Sequence, residues 1–405
     1  PLLHIFSGYN GSYSDFNGYG IYLSAFSQRL IFGLGLVALL WLINSFIKTK
    51  VLNKKKTLFT LVFVVFGITS GIFFMNGYTP KDKDKLILEA VNYEKSYRKY
   101  ETVPQPTITD ITTQINLYPS KNTYKINGSY VLNNQTNVAI HKVLINFHPD
   151  LKIESALFKS GFEKIQIEEH VTEVSLDKPL QPNEEASLTF SLSYKWVAVN
   201  GHQSFNAIVN NGSFMRISNY YPIFGYQNDR EIEDVEKRSK FDLGKASELK
   251  ILESPEVFKN DFINLEMTIS TEKIQTALGT GDLIKQWSKN NRNYFTYSAK
   301  KIPFRFALAS AKYKYKSIQH NGITINVYHD KKHFENVEHL INNAKITLDY
   351  CIENFGKYPF KTINFVEISA FTSGFAATAY PSTIFMTEDM IFHTNLEGDK
   401  KQDVI

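Results

Sequence analysis

The sequence predicts a multi-domain α+β chain with a membrane anchor: two transmembrane helices, an antiparallel β-sandwich or saddle, then the start of an α/β domain. Three observations predict it. Two uncharged stretches of about eighteen residues lie near the N-terminus, at 30–47 (LIFGLGLVALLWLINSFI) and 58–75 (LFTLVFVVFGITSGIFFM). From 108 to about 315, short alternating runs are separated by turn residues. After 320 the apolar spacing changes from two to three and four.

At 405 residues the chain has room for two or three domains with separate cores. Its formal net charge is +5, and its lysines are dispersed without Arg/Gly or Arg/aromatic clusters, so no nucleic-acid partner is expected. The lone cysteine, Cys351, excludes an internal disulfide and any CxxC pair, and its apolar helical position reads as a small core residue. The chain opens on Pro1 without a charged n-region and closes on DKKQDVI, so both ends are expected to lie inside a longer polypeptide.

Each apolar stretch would span roughly 27 Å as a helix, close to the hydrocarbon thickness of a bilayer. A pair of buried core helices would keep a polar side, which neither stretch has. Gly33, Gly35, Gly67 and Gly71 permit close helix contact. Between the spans, residues 48–57 hold Lys48, Lys50, Lys54, Lys55 and Lys56, and the positive-inside rule assigns that loop to the cytoplasm. Residues 1–29, rich in Gly, Tyr, Asn and Ser, and everything after Tyr78 are then expected outside, with the lipid bilayer as a partner.

Residues 78–106 read as a charged juxtamembrane helix ended by a stiff Pro104–Pro106 linker. Residues 107–316 read as strands with one wet side, as in the alternation of Leu188, Phe190, Leu192 and Tyr194, and the aromatic run FMRISNYYPIFGY at 214–226 is expected at the sheet's edge. Residues 317–405 start a different unit. A strand at 323–328 leads into a helix with its cap near Asp330, a stripe of Phe334, Val337, Ile341, Ala344, Leu348, Cys351 and Phe355, and its end at Gly356. A Gly-Pro corner, a buried strand, a Gly/Ala-rich bend and a second strand follow, and such a broken strand suits a substrate laid along exposed backbone.

Chemistry-bearing residues are few. His329 and His333 in HDKKH have metal-like spacing but straddle the strand-to-helix junction, and read as surface or capping residues; His393 reads as structural. Glu367 and the pair Glu388 and Asp389 read as exposed strand-end residues. HExxH, GxSxG, Walker and GxGxxG patterns are all absent from the sequence.

The order of parts resembles the aminopeptidase N-like family of zinc metallopeptidases, the gluzincins. The matching residues are Asn354, Phe355, Gly356, Lys357, Tyr358, Pro359 and Phe360, then 363–368, 374–381 and 384–389, and the resemblance covers roughly residues 105–405. It implies an aminopeptidase N-type β domain followed by a truncated thermolysin-like domain. The bend residues Gly374, Phe375, Ala376, Ala377 and Thr378 would bind a peptide substrate or ligand. The family's HExxH helix would follow Ile405, so no catalytic residue and no metal ligand is expected in this chain. Zinc is the implied cofactor of the full-length protein, with none taken up stoichiometrically by these residues. The two carboxylates with which the family holds a substrate's α-amine have no counterpart in 374–381 or 214–221.

The spans resemble the last spans of bacterial ABC transporter permeases that carry a peptidase-like domain outside. That resemblance implies the bacterial inner membrane and an ABC ATPase subunit as a partner. Two readings follow: part of a membrane-anchored extracytoplasmic zinc metallopeptidase, or a non-catalytic peptide-binding or gating domain of an ABC-type permease. An HExxH motif in the residues beyond 405 separates them.

Overall fold

In the computed structural model the described residues are 2–5, 13–49, 53–78, 82–197, 205–247, 262–370 and 376–396. Two antiparallel helices, α1 (Gly20–Thr49) and α2 (Lys54–Gly77), are long and apolar enough to cross a membrane. Asn53 caps α2 by accepting from the Lys55 and Lys56 amides at 3.1 and 3.4 Å. The helices touch backbone to backbone: a Cβ on Gly35 would lie 2.8 Å from the Gly67 Cα, and the reverse holds for Gly67. Gly71 faces the Phe32 ring, whereas Gly33 faces open space and takes no part. The outer surfaces expose Leu34, Val37, Leu40, Phe59, Val65 and Phe66.

Helix α3 (Lys83–Tyr97) follows, capped by Asp82. It packs through Val91, Tyr93 and Glu94 and leaves Leu86 and Leu88 exposed. Buried Arg238, on the short α4 (Val235–Lys240), grips Glu94 with two hydrogen bonds of 3.0 and 2.6 Å, and Arg98 reaches the same carboxylate at 2.9 Å.

The strands then run in chain order. The first seven are β1 (Thr107–Tyr118), β2 (Thr123–Asn133), β3 (Ile140–Asn146), β4 (Lys152–Ser160), β5 (Glu163–Gln166), β6 (Val171–Leu180) and β7 (Glu185–Lys195). Three short ones follow, β8 (Asn206–Ala207), β9 (Ser213–Met215) and β10 (Ile223–Phe224). Next come β11 (Phe262–Glu272), β12 (Thr276–Gly279), β13 (Asp282–Lys289), β14 (Arg292–Pro303) and β15 (Leu308–Ala311). An eight-stranded sheet, β13-β14-β11-β1-β2-β7-β4-β5, faces the smaller sheets β10-β3-β6 and β12-β15-β9-β8. The core between them takes Ile115, Tyr124, Ile126, Tyr130, Val143, Leu188, Leu192, Met267 and Tyr297. The large sheet departs from the expected antiparallel order at one place, where β1 and β11 pair in parallel. Alternating burial is the same for either direction, so the sequence pattern does not encode this choice. The aromatic run at 214–226 is split: Ile223 and Phe224 form the edge strand β10, whereas its first half is interior. Phe214, Met215, Ile217 and Tyr221 are buried, and Phe214 meets Phe385 of the next unit at 5.1 Å between ring centres.

That unit is a five-stranded sheet and a helix. Its elements are β16 (Lys314–His320), β17 (Ile323–His329), α5 (Val337–Phe355), β18 (Thr362–Ile368), β19 (Ala377–Tyr380) and β20 (Thr383–Thr387), with sheet order β16-β17-β18-β20-β19. β17, β18 and β20 are parallel, and the outer two strands are antiparallel to their neighbours. Helix α5 buries Val337, Leu340, Ile341, Ala344 and Leu348 and ends at Gly356, while Phe334 and Phe355 are exposed. It begins at Val337, later than the expected cap at Asp330. The Asp330 carboxylate accepts from the Lys332 amide at 3.0 Å, and its carbonyl accepts from the His333 amide at 3.0 Å, which spends residues 330–336 on a tight turn.

Candidate functional site

Parallel strands bring their C-terminal ends to one edge of the sheet. β17 delivers His329 and the turn carrying His333; β18 carries Glu367; β20 ends at Thr387, followed by Glu388, a single π turn (Glu388–Phe392) and His393. Asn336 fixes that last turn. Its amide donates to the carbonyls of Ile391, Phe392 and Thr394 at 3.3, 3.2 and 2.8 Å.

His333 lies at the centre. Its Nδ1 is hydrogen-bonded to Glu367 Oε1, and its Nε2 faces Asp15 Oδ2 at 3.1 Å and His393 Nε2 at 2.8 Å. Asp15 comes from the segment before α1 and uses its other oxygen to pair with Lys332 at 2.5 Å. Glu388 accepts from the Asp15 amide at 2.9 Å and from the Ala370 amide at 2.6 Å. Glu367 also accepts from the Asp330 amide at 2.6 Å. Ligand atoms of Asp15, His333, Glu388 and His393 lie within 4.8 Å of one another.

Burial and charge oppose each other here. Burial works to lower the His333 pKa, yet the hydrogen bond and charge of Glu367, then Asp15, hold it up at about 9. Burial pushes Glu367 up to about 7 against the lowering pull of His333, and it raises Glu388. For Asp15 burial is outweighed by Lys332 and His333, which hold its carboxyl below the usual range. Burial lowers His329, whose Nδ1 turns instead to the Asp330 carbonyl at 2.7 Å.

These positions correct the expectation that His329 and His333 are surface residues and that Glu367 and Glu388 are exposed. His329 and His333 are 7% and 8% exposed, and Glu367 and Glu388 are fully buried. Burial here arises from three strand ends meeting, which no single segment's pattern encodes. Asp389 is exposed, as expected. Asp15 carried no signal in the sequence; it is 318 positions from His333 and meets it only in the fold.

A second feature adjoins the cluster. β19 is the sheet's edge, with no strand beyond it among the described residues. The Thr387 amide donates to the Ala376 carbonyl at 2.9 Å. Antiparallel alternation then has Thr378 and Tyr380 bond back to β20, while the N–H and C=O groups of Ala377 and Ala379 point outward. Ala376, Ala377 and Thr378 thus lie at this edge; Gly374 and Phe375 lie outside the described residues. The β19–β20 turn is anchored on the β domain, with Ser382 Oγ donating to the Gly281 carbonyl at 2.7 Å and Thr383 Oγ1 to the Gly279 carbonyl at 2.9 Å. Two guanidinium groups flank the edge. Arg216 Nη2 is 3.5 Å from Thr378 Oγ1, and Arg305 sits 5.2 Å from the Tyr380 ring centre. Burial raises the Tyr380 pKa, and both arginines pull it down.

No protein-family model and no curated protein matches the chain. Its fold is similar to the crystal structure of a mutant M1 zinc metallopeptidase from Deinococcus radiodurans, at 10% identity and a TM-score of 0.47, covering 70% of this chain and 61% of that one. The chain thus spans about three-fifths of that structure.

Proposed function

We propose that the chain is the membrane-anchored, extracytoplasmic peptide-binding part of an aminopeptidase N-like zinc metallopeptidase, and that β19 is the edge on which the peptide lies. The outward N–H and C=O groups of Ala377 and Ala379 carry this reading, because an extended peptide adds to such an edge through its main chain. The edge supplies alignment, and in this reading cleavage falls to the family's zinc motif rather than to β19. Anchoring is supported by the helix pair with its exposed apolar surface and by its lysine-rich turn. The segment before α1 rests on the domain after α2: Ser14 and Ser369 hydroxyls bond at 2.6 Å, and Asn211 donates to the Phe16 carbonyl at 2.9 Å. These contacts support both flanks of the hairpin lying on one side, and the lysine-rich turn supports that side being the outer one.

Arg216 and Arg305 favour the second reading in one respect. A guanidinium pair repels an α-ammonium and attracts a carboxylate, so the edge suits a peptide held by an acidic group rather than trimmed from its N-terminus. Coupling to a permease and an ABC ATPase is the wider setting of that reading.

The test is fluorescence anisotropy of labelled, unstructured peptides with the full chain in nanodiscs. Ala379→Pro deletes an outward N–H and keeps the ladder to β20, and is expected to weaken binding about tenfold. Acetylating the peptide N-terminus is expected to cost little. Binding that Ala379→Pro leaves unchanged would sink the edge reading, and binding abolished by acetylation would restore the amine-anchored one.

A further inference from the structure

We propose that Asp15, His333 and His393, with Glu388 beside them, form a site for one first-row divalent cation of the zinc class, clasping the segment before α1 to the α/β unit. This site departs from the expectation, implied by the resemblance, that these residues hold no metal ligand, and it does not depend on peptide binding at β19.

The geometry is that of a coordination face. His333 Nε2, His393 Nε2 and Asp15 Oδ2 form a triangle with edges of 2.8, 3.1 and 3.4 Å. Ligands about 2.1 Å from one ion are separated by about 3.0 Å on an octahedral face and about 3.4 Å on a tetrahedral one. Two imidazoles and a carboxylate are the donor set of facial two-histidine sites and suit zinc, cobalt, iron or manganese better than calcium or magnesium.

The surroundings match as well. Glu367 holds Nδ1 of His333, which fixes the ring and leaves Nε2 as the ligating atom, the usual support of a metal-bound histidine. Asp15 spends Oδ1 on Lys332 and keeps Oδ2 for the triangle. Of the three carboxylates gathered here, Asp15 pairs with Lys332, Glu367 with His333, and Glu388 accepts from the Asp15 and Ala370 amides. A proton on His333 Nε2 can serve Asp15 or His393 well, whereas one cation accepts all three lone pairs together. The buried His329 is excluded, because its Nδ1 is held by the Asp330 carbonyl.

The full chain, purified in nanodiscs after chelation, is to be titrated with Zn²⁺ by calorimetry and with Co²⁺ by visible absorption, with bound metal counted by mass spectrometry. One equivalent is expected, with Co²⁺ ligand-field bands. His333→Ala and His393→Ala should abolish stoichiometric uptake. Glu367→Gln should weaken it by about 10–100-fold, and His329→Ala should leave it intact. His393 is half-exposed, so its variant keeps the test clear of misfolding. Absence of stoichiometric uptake by the folded wild-type chain would overturn the site, as would uptake that survives in the His393→Ala variant.

Discussion

At the scale of single residues, the strongest physical constraint is on Glu367. It is a carboxylate with no solvent access whose oxygens are taken by His333 and the Asp330 amide. Removing it leaves a buried imidazole N–H and a buried amide without an acceptor. Glu367→Ala is therefore expected to cost about 1–3 kcal/mol per orphaned group, while Asp389→Ala at the exposed neighbour of Glu388 should stay within about 0.5 kcal/mol. Urea unfolding of the two variants checks the contrast. Residue-level sequence reading was weakest here. A glutamate within NFVEISAF has an apolar strand's signature, but the partner that makes its burial tolerable is His333, 34 positions away in the turn after β17. For Asp15 a Gly/Tyr/Asn-rich loop carries no periodicity from which a fixed position can be read.

At the scale of elements, local periodicity did its work where burial is one-sided. The two apolar helices, the alternation in β7 and the middle of the α5 stripe appear where the residues predict them. The late start of α5 and the parallel β1–β11 pair were invisible, because one depends on an Asx turn competing with a cap and the other on a crossover between distant segments. Helix α3 is tied to the β domain by charge. Arg238→Ala would leave the buried Glu94 with the partly exposed Arg98 as its charged partner and is expected to cost about 3 kcal/mol, seen as early loss of α3 protection in hydrogen exchange. A second tie joins the residues after α3 to the β3–β6 pair: Lys99 and Lys142 meet Glu173 at 2.9 and 2.8 Å. Lys142 first, and then its neighbours, hold the Glu173 carboxyl down at about 2, below its ordinary 4.5. A depressed carboxylate contributes stability that is present above about pH 4.5 and is lost as pH falls towards 2. Glu173→Gln should therefore show a shallower loss of thermal stability across that window than the wild type, and equal slopes would remove Glu173 from the account.

At the scale of the whole molecule, three parts share one side of the helix pair: the segment holding Asp15, the β domain and the five-stranded sheet. The β domain anchors the turn beside β19, and the segment before α1 closes on the strand ends beside it. The edge is thus held rigidly from two directions, which lowers the cost of ordering an incoming strand. Protease added to intact cells should accordingly reach exposed loops after Tyr78 and spare the lysine-rich turn, and the reverse pattern would invert the topology. The central claim is that a peptide adds to β19. Hydrogen–deuterium exchange of the full chain in nanodiscs, with and without saturating peptide, tests it most directly. New protection is expected at the Ala377 and Ala379 amides with Thr378 and Tyr380 little changed; protection elsewhere, with these two amides exchanging as before, would rule out strand addition at β19.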